Sequence, residues 1–194
     1  MNKEWWDVDP TDWKAMWQKT IGLDDEDPEE TQRNEDVIFE DIPPGRAVLE
    51  IGSGVGRLLK VASKYFHTVR GVEISSPLVK MSKEYLGDAP QCRVVLTDGY
   101  TFPFSDNVFD FIFSLVVFHH MPTLEIVQSN IREAYRVLRP GGLCRIQTIP
   151  RINDGWHFTA EEFWNEFEQV GFVKEKIEVG RSHPSHLWVT ARKS

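Results

Sequence analysis

The sequence predicts a doubly wound α/β fold, with a mainly parallel sheet of about seven strands ending in an antiparallel hairpin at its C-terminal edge. Three observations lead there. Short apolar runs alternate with amphipathic segments from residue 46 onward, the pattern of strands joined by crossover helices. The first apolar run ends in Gly52, Gly54 and Gly56, ahead of a helical stretch. The last two runs need no helix between them, which suits antiparallel pairing.

The elements follow in order. Asp9-Pro10 places an N-cap before a proline at the first helical position, where the missing N–H costs nothing. Trp13, Met16, Trp17 and Ile21 then share one helical face, and Gly22 marks the stop. Residues 24–30 hold six acids and a proline and read as an exposed linker. A short helix is expected over 32–40, before Pro43-Pro44-Gly45. Strands are expected at 47–51, 68–74, 93–96, 109–115 and 143–149. Helices are expected at 57–66, 77–86 and 124–138, the last closed by Pro140-Gly141-Gly142. Thr159 with Glu162 three residues on has capping-box spacing. The helix it opens carries Phe163, Trp164 and Phe167 and ends at Gly171. Residues 173–179 and 186–192 supply the closing hairpin.

Composition bounds the function. The chain has 194 residues, 22 Lys and Arg, 30 Asp and Glu, and a net charge of -8, which suits one domain with an extension. Residues 1–45 hold 4 basic and 14 acidic side chains, and residues 46–194 hold 18 and 16, so the acidity belongs to the front arm alone. That arm also carries Trp5, Trp6, Trp13 and Trp17. The chain is therefore divided into an arm, 1–45, with a possible role as a lid, and a body, 46–194. Cys92 and Cys144 are too few for a disulfide framework or a four-thiolate zinc site. No histidine has a defensible metal-ligand spacing, so no metal is expected. The first residues lack an apolar signal core, and the longest apolar run is broken by Asp110 and Ser114, so a cytoplasmic protein with no membrane segment is expected. An acidic total also argues against nucleic acid, which needs a basic face.

The glycine loop carries the chemistry. Glycines past a strand let the backbone turn tightly and approach a ligand, and the next helix offers free N–H groups. A dinucleotide fingerprint would need a glycine where Arg57 stands, which disfavours a nicotinamide oxidoreductase. Glu50 stands two residues ahead of the glycines; a carboxylate there repels a pyrophosphate and suits a ligand with positive groups. Glu73, ending the second strand, is placed to accept the two hydroxyls of a ribose.

With these motifs the sequence resembles the class I S-adenosylmethionine-dependent methyltransferases, and within them the type 11 methyltransferase family, over roughly residues 45–150. Glu50-Ile51-Gly52-Ser53-Gly54-Val55-Gly56 matches the family's first motif, whose loop holds the methionine part of the cofactor. Glu73 matches its ribose-binding acid. Thr97-Asp98-Gly99 and Phe102-Pro103-Phe104 match its adenine segment. Residues 107–121 match its post-strand segment, and residues 132–142 its late helix and turn. The resemblance implies a Rossmann-like sheet with S-adenosyl-L-methionine as cofactor. It also implies a binding set of Glu50, Gly52, Ser53, Gly54, Gly56, Arg57, Glu73, Ile74, Ser75, Asp98, Gly99, Tyr100, Ser114 and Leu115.

Methyl transfer to a small-molecule acceptor, through an O- or N-nucleophile displacing a sulfonium in line, is the activity this implies. Its demands are alignment and exclusion of water. His119 is the expected base or acceptor contact and His120 a structural neighbour. Arg151, Trp5 and Trp6 are further acceptor-side candidates, Arg151 because its guanidinium can grip a carboxylate. The alternatives are a catalytically silent cofactor-binding partner subunit and a protein methyltransferase. No Asn-Pro-Pro-Tyr-type segment follows the fourth strand to suggest methylation of base or glutamine amines.

Overall fold

The computed structural model describes residues 28–152, 156–181 and 183–194. The expected first helix and Trp5, Trp6, Trp13 and Trp17 lie outside the described residues. In chain order the elements are α1 (Pro28–Phe39), β1 (Gly45–Ile51), α2 (Arg57–Ala62), β2 (Phe66–Glu73), α3 (Ser76–Leu86), β3 (Cys92–Leu96) and β4 (Phe109–Ser114). After a 3-10 turn at Phe118–His120 come α4 (Leu124–Val137), β5 (Leu138–Thr148), β6 (Arg151–Ile152), β7 (Trp156–His157), α5 (Ala160–Glu168), β8 (Phe172–Val179) and β9 (Leu187–Lys193).

Seven strands form one sheet in the order β3-β2-β1-β4-β5-β9-β8. The pairs from β3 to β5 are parallel, whereas β9 runs antiparallel to both β5 and β8, as the missing crossover helix predicts. Strand order reverses between β1 and β4, and in such sheets ligands sit beyond the carboxyl ends of the strands at that switch. The sequence-derived site residues Gly52 and Ser114 follow or end these two strands.

Apolar residues on both faces explain why β4 reads as a continuous run: Phe109 and Ile112 point into one core layer, Phe111 and Phe113 into the other. The first layer is completed by Val127, Ile131 and Ala134 of α4 and by Phe163 and Phe167 of α5. The second takes Ile38 and Phe39 of α1, Leu58 and Leu59 of α2, and Trp188 of β9.

Three local expectations are corrected, and one ribbon was not expected. Helix α1 starts at Pro28, inside the stretch read as linker; proline needs no N–H in a first turn and acids suit the positive end of the helix dipole. Helix α2 stops at Ala62, and the chain reaches β2 already at Phe66. Pro140-Gly141-Gly142 does not separate α4 from β5. The strand begins at Leu138 opposite Phe109 and resumes with Leu143 opposite Phe111, so residues 139–142 are a bulge. The ribbon β6–β7 had no strand pattern to announce it. The capping box, by contrast, is formed: Thr159 Oγ1 accepts from Glu162 N at 3.1 Å and Glu162 Oε2 accepts from Thr159 N at 2.7 Å.

Candidate active site

The loop from β1 into α2 is built for close backbone approach. Gly52, Gly54 and Gly56 have φ of 72°, 54° and 92°, where a Cβ is strained. Gly52 has a second reason to be glycine, because a Cβ there would meet Val117 Cγ2 at 2.5 Å. A Cβ on Gly54 would meet nothing within 4 Å, so that edge of the loop opens outward. Gly52 N and Ser53 N both donate to Val72 O, at 2.9 and 3.1 Å, tying the loop to the end of β2. Gly71 of β2 makes room for Ser53: a Cβ on Gly71 would lie 2.2 Å from its hydroxyl. Gly71 is also the register partner of Glu50, which brings Glu50 and Ser53 to the same place.

Two acids there behave differently. Glu73 is buried, and its carboxylate accepts three backbone N–H groups: Gly54 at 2.9 Å, Ile74 at 2.8 Å and Ser75 at 2.9 Å. A carboxylate offers about four lone-pair positions, so two ribose hydroxyls would displace at least one of these donors. Glu50 is buried, and its Oε2 has no hydrogen-bond partner among the described residues. Burial pushes its pKa well above the usual carboxylate range; Arg57 opposes this and Glu73 adds to it. Ser53 Oγ is likewise buried and unpartnered. Ser75 caps α3 through Oγ, 3.4 Å from Leu78 N, and Ser114 Oγ donates to Ile51 O at 2.9 Å, fastening β4 to β1. Leu115 is half-buried against the α1–α2 layer.

The segment after β3 forms a second wall. Asp98 Oδ1 accepts from Tyr100 N at 2.8 Å and Thr101 N at 2.7 Å, closing the turn around Gly99, while Asp98 Oδ2 accepts from the Thr101 hydroxyl at 3.1 Å. The Thr101 amide first, then that of Tyr100, holds the Asp98 carboxyl below its ordinary range. Gly99 packs on Ile74, whose Cγ2 would stand 3.3 Å from an added Cβ. Tyr100 is exposed at 41% beside this turn. Helix α4 anchors the wall: Asn130 Nδ2 donates to Gly99 O at 2.8 Å and Ser129 Oγ to Tyr100 O at 2.8 Å. Glu133 accepts from Phe102 N at 2.6 Å.

On the other side of β4, the His119 ring packs against that of His120, tilted by 45° with centroids 4.0 Å apart. Its Nδ1 is buried with no hydrogen-bond partner among the described residues. Burial first, then the neighbouring His120 and His186, lowers its pKa to about 3. His119 is therefore a neutral hydrogen-bonding group across the physiological range and a weak proton acceptor. Burial also lowers the pKa of His120. Arg151 opens β6 opposite His157 in the ribbon register. The expected contacts from Trp5 and Trp6 lie outside the described residues. Among the described residues, no group of three or more His, Cys, Asp or Glu side chains is arranged to hold a metal ion, and no helix is long and apolar enough to cross a membrane.

The model of the methyltransferase domain family matches residues 49–146. The chain belongs to this family. A mouse (Mus musculus) relative named "Probable tRNA methyltransferase 9B" is 40% identical over 152 residues, 77% of this chain and 32% of the relative. The phosphoethanolamine N-methyltransferase 2 of Caenorhabditis elegans is 36% identical over 107 residues, 54% of this chain and 24% of that protein. The chain spans about a third of the length of the curated tRNA methyltransferase 9B relatives that it matches. Among solved structures, a TehB-like S-adenosylmethionine-dependent methyltransferase from Corynebacterium glutamicum superposes with a TM-score of 0.71 at 21% identity, covering 95% of this chain and 98% of that one. That likeness shows the fold.

The cofactor of this methyltransferase family is S-adenosyl-L-methionine, and the site fits it. A buried carboxyl and a buried hydroxyl without protein partners suit the cofactor's ammonium and carboxylate end better than a pyrophosphate. The fold brings the glycine loop, Glu73, Ile74 and the Asp98 turn to one crevice. Sequence reasoning missed Val117, Gly71, Asn130 and Gln147. Gln147 had a visible signal, an amide between Ile146 and Thr148 near the end of the fifth strand; Val117 had none.

Proposed function

We propose that the chain transfers the methyl group of S-adenosyl-L-methionine to a small-molecule oxygen or nitrogen nucleophile by in-line displacement. The observation that carries this is the buried, unpartnered carboxyl of Glu50 under a glycine loop, with Glu73 at the adjoining strand end. The cofactor supplies a methyl group already activated by a sulfonium charge. Glu50 and the residue 52–56 loop hold the positive aminoacyl end, Glu73 the ribose, and Asp98 with Gly99, Tyr100 and Ile74 the adenine. Arg57, Ser75, Ser114 and Leu115 shape these contacts from the adjoining backbone. His119, neutral and with a free ring nitrogen, orients the acceptor through a hydrogen bond rather than acting as a strong base. The part of the 1–45 arm that carries Trp5 and Trp6 serves as a lid on the acceptor side, and Arg151 receives an acidic group of the acceptor. The phosphoethanolamine-named relative supports a small acceptor.

A second reading, a nucleoside in RNA, is favoured by the relatives named for tRNA methylation, up to 40% identical over 77% of this chain. It faces a body whose net charge is only +2, from 18 basic and 16 acidic residues over 46–194. An acceptor screen reading S-adenosylhomocysteine release, with metabolite pools and bulk tRNA as separate arms, tests the two. Turnover with a metabolite whose KM hardly responds to salt supports the first. Turnover with tRNA whose KM rises steeply between 50 and 200 mM salt, as about 10³-fold losses do for phosphate-binding proteins, supports the second. Cofactor binding with no turnover in either arm supports the silent partner subunit.

A further inference from the structure

We infer that Gln147 is a positioning residue that holds a strained turn against the cofactor loop. The inference deepens the proposed methyl-transfer reading and rests on it. Val116, two residues past β4, has a φ of 59°, a left-handed conformation that a β-branched residue rarely adopts. Burial does not hold it there, because its side chain is 40% exposed. Its amide is what is held: Val116 N donates to Gln147 Oε1 at 2.7 Å. Gln147 is itself fully buried and is oriented by its other end, with Nε2 donating to Thr148 O at 3.2 Å.

The turn touches both halves of the site. Val117 lies so close to Gly52 that a Cβ there would come within 2.5 Å of its methyl group. Next in the chain, His120 N donates to Val117 O at 2.9 Å and Met121 N to Phe118 O at 3.2 Å, closing the 3-10 turn that carries His119. Phe118 is buried against Phe163, which pins the far end. Relaxing Val116 toward a negative φ would swing Val117 off the glycine loop and turn the His119 ring. One amide on β5 thus sets the methionyl end of the cofactor and the acceptor-side histidine together, across 31 residues of sequence.

The test uses Gln147→Met, which keeps the volume and removes the acceptor, Val116→Gly, which adopts a positive φ without strain, and the double variant. The readouts are amide exchange at residue 116, the Kd for S-adenosylmethionine by calorimetry, and the thermal midpoint. Gln147→Met should speed exchange at Val116 at least tenfold and weaken S-adenosylmethionine about tenfold. Val116→Gly alone should bind within threefold of wild type, and the double variant should regain most of the lost affinity. Unchanged exchange in Gln147→Met overturns the inference. So does a double variant as weak as Gln147→Met, which is what a mere packing role predicts. If wild type itself does not bind S-adenosylmethionine, the functional reading fails instead, and the exchange arm still decides whether Gln147 holds the turn.

Discussion

Glu50 carries the least comfortable side chain in the crevice, a buried carboxyl with one oxygen unpartnered. Its pKa is raised, so the folded chain holds a proton that the unfolded chain releases, and this contribution to stability falls as pH climbs above the ordinary carboxylate range. Glu50→Gln removes that penalty. The variant should melt higher than wild type at pH 7–8 without ligand, by about 2–4 °C if the relief is about 1 kcal/mol, and bind S-adenosylmethionine at least tenfold more weakly. A variant that loses stability and affinity together would make Glu50 a structural acid. The sign is opposite in direction for His119, whose folded pKa of about 3 lies below the ordinary 6.5. Between those values the unfolded chain takes up a proton that the folded chain refuses, so stability falls as pH falls. Acid-unfolding curves of His119→Asn should be flatter than wild type from pH 6 to 4. At this scale the sequence singled out Glu50 and Glu73 by their place near the ends of apolar strands and near glycines, and the structure buries both. It did not show that His119 is a weak base, since that depends on burial and on His186, brought in from just before β9.

At the scale of elements, the crossing of β1, β2 and their loop decides the site. Gly71 sits in the middle of a strand where glycine has no conformational reason to be, and its role is to admit Ser53. Gly71→Ala should therefore cost about 1–3 kcal/mol by overpacking, and the double variant Gly71→Ala/Ser53→Gly should recover most of it. Denaturant unfolding of the pair checks this; no recovery would mean that the clash lies elsewhere. Thr159 makes a simpler case: removing its side chain from the capping box should cost about 1 kcal/mol with no effect on cofactor affinity. The capping box was legible because its chemistry is local, three residues apart. The start of α1 was missed because charge density was weighed above the helix-start chemistry of Pro28. The bulge in β5 was missed because it exists only through pairing with Phe109 and Phe111. The Gln147–Val116 bond is of the same kind, since the pairing of β4 with β5 brings the turn after β4 beside Gln147.

For the whole molecule, the net charge of -8 describes neither part, since residues 1–45 contribute -10 and residues 46–194 contribute +2. The C-terminal piece of that acidic arm is no appendage. Ile38 and Phe39 are buried in the core, and Arg145, buried beneath α1, donates to Ile38 O and Glu40 O at 2.9 Å each. The doubly wound sheet and its antiparallel edge followed from the alternation of apolar runs and the lack of a final crossover, whereas the strand order that puts the switch between β1 and β4 is set by long-range pairing. The glycine-loop site takes a sulfonium cofactor rather than a dinucleotide. Calorimetric titration of the full chain with S-adenosylmethionine, and separately with NAD, tests it most directly. Saturable one-to-one binding of S-adenosylmethionine, lost in Glu50→Gln, and no heat with NAD are expected. Saturable binding of NAD, or S-adenosylmethionine binding untouched by Glu50→Gln, would contradict it.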